Sequence, residues 1–117
     1  MTVQRLHVEK RFSEIAVSGS LVHLAGQLAS DTSLDIRGQT QQTLDIIDRF
    51  LAEAGTDKSC IMSVTIYLKD IEKHYSAFNE VWDAWVSDIQ ALPRTCVEAK
   101  LYAPEVLVEM TVVAVKL

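Results

Sequence analysis

The segment 106–115, VLVEMTVVAV, is apolar on both of the sides that an extended strand presents, interrupted only by Glu109 and Thr111. Side chains alternate along a strand, so Val106, Val108, Met110, Val112 and Ala114 share one side. Leu107, Glu109, Thr111, Val113 and Val115 share the other. A strand of this kind belongs in a sheet that is covered on both faces. Either the rest of the chain supplies two covers, or a second copy of the chain supplies one.

The remaining pattern supplies two helices. Leu44, Ile47, Leu51 and Ala54 recur at spacings of three and four, with Asp35 as a cap and Gly55 as a stop, which predicts an amphipathic helix over 36–54. Tyr75, Phe78, Trp82, Trp85 and Ile89 form a second stripe, opened by the cap Asp70 and ended before Pro93. In such a stripe Trp82 and Trp85 read as core anchors rather than as a ligand platform. The segments 15–17 and 21–25 flank Gly19-Ser20 and read as a hairpin, because Gly supplies the positive φ of a two-residue turn. Period two over 62–68 puts Met62, Val64, Ile66 and Leu68 on one side, and alternation returns over 95–101. The order of strand, strand, helix, strand, helix, strand, strand predicts an α+β fold, a mixed sheet with both helices on one face. One face of the last strand then remains for a partner subunit.

Length and composition limit what such a fold can do. The 117 residues fit one domain, 1–117, and 49% hydrophobic residues with four glycines and two prolines exclude disorder. A net charge of −5 without a Lys/Arg run leaves no basic stripe for nucleic acid. No stretch approaches the ~20 apolar residues of a membrane span or the pattern of a cleaved leader, and the expectation is a cytosolic chain. Cys60, Cys96, His7, His23 and His74 are scattered without ligand spacing, so neither a metal nor a cofactor is expected. Cys96 reads as an inert, small buried thiol.

Two charged residues invite chemistry. Glu109, in the middle of an apolar strand, must be hydrogen-bonded, paired, protonated or set in a wet cleft, since an unpaired buried carboxylate is destabilising. A salt bridge to Arg94 or Lys100 across a subunit interface and a catalytic role both fit its spacing. Arg94 follows Pro93 at the head of a strand, where its planar fork and the backbone N–H of Thr95 or Cys96 make an anion seat. Asn79 and Gln27 can each donate and accept, and composition alone gives them no role beyond capping or surface hydrogen bonds. Gly26, after Leu24-Ala25, leaves room for a close neighbour.

Several segments carry a further signal through their order and spacing. They are Arg11-Phe12-Ser13-Glu14, Leu24-Ala25-Gly26-Gln27, Gln39-Thr40-Gln41-Gln42-Thr43-Leu44 and Ala52-Glu53-Ala54-Gly55. After them come Thr65-Ile66-Tyr67-Leu68-Lys69-Asp70, Phe78-Asn79 with Val81-Trp82, Pro93-Arg94-Thr95-Cys96-Val97-Glu98-Ala99, and Val108-Glu109. Together they resemble the Rid family, also called the YjgF/YER057c/UK114 family, whose deaminase members hydrolyse reactive enamines and imines. The resemblance implies a chorismate-mutase-like subunit and a homotrimer with ligand clefts between neighbours. It implies that Arg94 and the N–H of Cys96 hold the carboxylate of a 2-imino or 2-enamino acid, that Glu109 positions or activates water, and that Asn79, Phe12, Ala25 and Gly26 line the cleft.

Phe12 stands where the family usually has Tyr, and Ala25 where a Ser is common, so two hydroxyls are missing. The Arg11-Phe12-Ser13-Glu14 motif, with Trp82 and Trp85, is similar to a branch distinct from the housekeeping deaminases, and the substrate is expected to differ. The competing expectations are a trimeric module that binds a carboxylated metabolite without turnover, and a structural or chaperone-like oligomer that needs none of Arg94, Asn79 and Glu109.

Overall fold

The computed structural model describes residues 2–117. The strands are β1 (Gln4–Val8), β2 (Ser13–Ser18), β3 (Leu21–Gln27), β4 (Ile61–Leu68), β5 (Arg94–Glu98) and β6 (Val108–Val115), with helices α1 (Ile36–Glu53) and α2 (Ile71–Trp85). They form one sheet in the order β1-β2-β3-β6-β4-β5, antiparallel except for the β4–β5 pair, which α2 connects. Both helices pack on one face, so the α+β expectation holds.

Local chemistry explains most boundaries. Gly19 takes φ 58° in the β2–β3 turn. Asp35 accepts from the Gly38 N–H at 2.9 Å and Asp70 from the Lys73 N–H at 3.1 Å, capping the two helices. Gly55, with φ 87°, follows the end of α1. On the helix side, Val108, Met110, Val112 and Ala114 of β6 are sealed against Leu44, Ile47, Leu51 and Phe78. On the other side, Leu107, Glu109, Thr111, Val113 and Val115 are only half-buried. Leu21 and Val97, exposed by 42% and 39%, extend that open face across β3 and β5.

The structure corrects the sequence reading in four places. Strand β1 was not expected; it pairs with β2, and His7 rests its ring 5.0 Å from Phe50. Helix α2 stops at Trp85, so Ile89 lies beyond it, because Lys58 Nζ takes the Trp85 carbonyl at 2.6 Å and Ser87 Oγ that of Ala84 at 2.8 Å. Met62 is exposed and Ile61 buried, since an extra residue between Ile61 and Ser63 reverses the phase of β4. Strand β5 starts at Arg94 itself and ends at Glu98.

The approach to β6 is held by one buried amide. The two hydrogens of Gln39 Nε2 are shared among the carbonyls of Thr32, Leu34 and Glu105 at 3.2, 3.0 and 2.9 Å, and Gln39 Oε1 accepts from the Leu107 N–H at 3.0 Å. It thereby satisfies backbone groups of two loops that no ladder reaches. Gln39→Leu, similar in size, leaves those groups unpaired. Denaturation should show a loss of about 3 kcal/mol and a Tm lower by roughly 10 °C.

Candidate functional site

Arg94 heads β5 with its side chain turned under α2. Its Nη2 donates to Asn79 Oδ1 at 2.9 Å and to the Tyr75 hydroxyl at 3.2 Å, two acceptors one helical turn apart. The guanidinium carbon lies 5.3 Å from the Trp82 ring centre and 5.8 Å from those of Tyr75 and Phe78. Trp82 is therefore both a core anchor and a wall of the arginine's cage. Among the described residues, Arg94 Nη1 is buried and has no hydrogen-bond partner. A guanidinium stays charged at any physiological pH, so an unmet buried donor on it is an unfilled place for an acceptor.

Cys96 follows two residues along the same side of β5. Val64 N–H bonds to the Pro93 carbonyl and Ala99 N–H to that of Leu68. Odd-numbered residues of this stretch thus face β4. By alternation, Thr95 spends its N–H on the ladder, whereas the N–H of Cys96 turns to the free edge of the sheet. Burial pushes the Cys96 thiol up, opposed in part by Arg94, which keeps it a protonated, weakly nucleophilic thiol. A depression of about 390 Å³ is lined by Ile71, Glu72, Tyr75 and Cys96, and Arg94 is tied to its wall through the Tyr75 hydroxyl.

Glu109 occupies the open face of β6, across from Tyr67. Between Leu24 and Gln27, β3 carries one extra residue, and this bulge brings Gly26 against the Glu109 side chain. A Cβ at position 26 would fall 2.9 Å from Glu109 Cδ and nearer still to Oε2, so glycine here lets the Glu109 carboxylate keep this position, and any larger residue would displace it. Ala25 lies in the same bulge. Phe12 and Gly26 share a cavity of about 350 Å³ with Glu14 and Gln27. Gln27 is buried, and its Nε2 donates to Glu14 Oε1 at 3.1 Å and to the Ala25 carbonyl at 2.9 Å. Among the described residues Glu109 has no ion-pair partner; neither Arg94 nor Lys100 pairs with it inside the chain. Burial alone pushes its carboxyl above the ordinary range.

The expected site residues thus fall into two groups. Arg94, Asn79 and Cys96 stand together, and Gly26 of the Ala25–Gly26 bulge touches Glu109; Phe12 shares a cavity with Gly26 that α1 walls and Glu109 does not line, and one chain does not join the Arg94 and Glu109 groups. Arg94 is in register with Val64 on the helix side, and Glu109 alternates with buried Val108 and Met110 toward the open face. Sequence reasoning missed Tyr75 and Phe78 as partners of Arg94. Their helical spacing signalled core, and only the parallel placement of β5 beside β4 puts Arg94 beneath them.

Comparison with known proteins gives a consistent relationship. The family model described as Endoribonuclease L-PSP matches residues 2–116. A RutC family protein of Haemophilus ducreyi is 41% identical over 112 residues, 96% of this chain and 95% of the relative. A member of the YjgF protein family from Neisseria meningitidis superposes with a TM-score of 0.94 at 38% identity, covering 100% of this chain and 97% of that one. A Yersinia pestis protein of the conserved Rid family gives 0.84 at 26% identity, over 92% and 90% of the two chains. By sequence over nearly its whole length and by fold, the chain belongs to the YjgF/RutC (Rid) family.

Proposed function

We propose that this protein hydrolyses reactive 2-imino acids and their 2-enamino tautomers to 2-keto acids and ammonia, in clefts between the subunits of a homotrimer. Membership of the family supports a role in processing small molecules. The observation that carries the finer reading is Arg94, a caged guanidinium with one buried donor unfilled beside an edge N–H. That pair suits a carboxylate, whose two oxygens can each accept a hydrogen bond, one from Nη1 and one from the edge N–H. Glu109 lies on the opposite face, so a neighbouring subunit brings its own Glu109, with Gly26, Ala25 and Phe12, to this Arg94. The half-buried open face of β6 is the surface that such a neighbour covers.

The chemistry needs neither a metal nor an organic cofactor. Protonation of the imine nitrogen makes C2 electrophilic. With the carboxylate held by Arg94 and Cys96 N–H, C2 meets a water in one orientation, and proximity supplies most of the acceleration. Glu109 takes a proton from that water as its oxygen bonds to C2. Glu109 then passes that proton to the nitrogen, and as the C–N bond breaks the hydroxyl proton returns to Glu109, so that ammonia leaves and the carbonyl forms. A carboxyl lifted by burial suits this exchange near neutral pH. The lost hydroxyls at Phe12 and Ala25 change the outer wall of the cleft and thus its preferred side chain.

Imines released by an amino-acid oxidase and trapped with semicarbazide provide the assay. The protein should shorten their lifetime across a panel of imino acids. Arg94→Ala should abolish the effect and weaken 2-keto acid binding by roughly 100-fold. Saturable binding of keto acids without turnover would favour a binding module instead, and equal trapping with and without protein would reject the enzyme. Glu109→Gln should lower kcat about 100-fold with keto-acid affinity retained. Glu109 must be ionised to accept the proton, so wild-type kcat/KM should rise with pH through a limb above the ordinary carboxylate range. The Gln variant should lack that limb.

A further inference from the structure

Tyr75 is bound to Arg94 in a way that leaves its own proton unused. Its oxygen accepts from Arg94 Nη2 at 3.2 Å, and among the described residues it donates to nothing. The ring also packs over the guanidinium, 5.8 Å from its carbon, while the residue stays 42% exposed on the wall of the depression that contains Cys96. A phenol that accepts from a cation is polarised to donate onward, and an anion is the natural recipient.

We infer that the Tyr75 hydroxyl is a direct third donor to the ligand's carboxylate, beside Arg94 Nη1 and the Cys96 N–H, and that it sets the site's preference for a charged over a neutral 2-oxo compound. This rests on the carboxylate seat at Arg94. Asn79 shares Nη2 with the phenol and has only its amide hydrogens left to offer, so the two acceptors are not equivalent. Asn79 orients the guanidinium, and Tyr75 both orients it and reaches past it. With Tyr75 and Ile71 both lining the depression, a 2-oxo acid held at the polar seat would direct its side chain along them.

Tyr75→Phe keeps the ring over Arg94 and removes only the hydroxyl. Calorimetric titration of the full-length protein with pyruvate, phenylpyruvate and the neutral analogue pyruvamide separates the possible roles. The variant should bind the two keto acids roughly ten-fold more weakly. Its affinity for pyruvamide should change by less than about three-fold, because a hydrogen bond to a neutral acceptor is weaker than a charge-assisted one. In the imine assay KM should rise while kcat holds, and the melting temperature should stay at the wild-type value. Unchanged keto-acid binding in Tyr75→Phe, with wild type binding normally, would overturn the inference while leaving the Arg94 seat intact. Equal losses for acid and amide would overturn it too, reducing Tyr75 to a support for Arg94. Absence of keto-acid binding by wild type would remove the seat and this inference together.

Discussion

Strand β6 is apolar on both sides, and two helices can cover only one of them. Everything else follows from how that imbalance is met. The helices seal Val108, Met110, Val112 and Ala114, and leave Leu107, Val113 and Val115 half-buried beside exposed Leu21 and Val97. Removing such a surface from water stabilises association by ~25 cal/mol per Å² of apolar area before the entropy of assembly is subtracted. A carboxylate in the middle of it would oppose that gain if it met only hydrocarbon. Glu109 is tolerable there because Gly26 leaves it room and because, in the proposed trimer, it borders a wet cleft.

The other half of the proposed site is built on the covered face. Arg94 reaches its cage because β5 lies parallel to β4, which requires α2 to cross over the sheet and bring Tyr75, Asn79 and Trp82 above the strand head. Lys58 ends α2 at Trp85, and the indole N–H of Trp85 holds Asp48 of α1 at 3.1 Å, so the wall over Arg94 is tied to both helices. Gln39 fixes the loop that delivers the chain into β6 two residues before Glu109. A site divided between faces is thus placed by rigid elements on both sides, as accurate positioning requires.

Much of this was legible in the residues. The period of β6, the caps Asp35 and Asp70, the Gly19-Ser20 turn and the two apolar stripes each state one local rule that the fold obeys. What was hidden depended on neighbours. Strand β1 carries Gln4, Arg5 and His7, is exposed along nearly its whole length, and gives no apolar period. The phase of Met62 was reversed by a bulge in the pairing of β4 with β6. Alternation separated the two sides of each strand but could not say which side the helices take. That Arg94 and Glu109 part to opposite faces was therefore unreadable, and so was the double use of Trp82.

Whether the two halves meet across a subunit boundary can be tested by complementation. Chains carrying Arg94→Ala and chains carrying Glu109→Gln, differently tagged and co-expressed, form mixed oligomers whose composition native mass spectrometry can verify. Each variant alone should be nearly inactive in the imine assay. In random mixed trimers about one interface in four joins an intact Arg94 to an intact Glu109, so roughly a quarter of wild-type turnover should return. Verified mixed oligomers with no more activity than their parents would contradict a site shared between subunits.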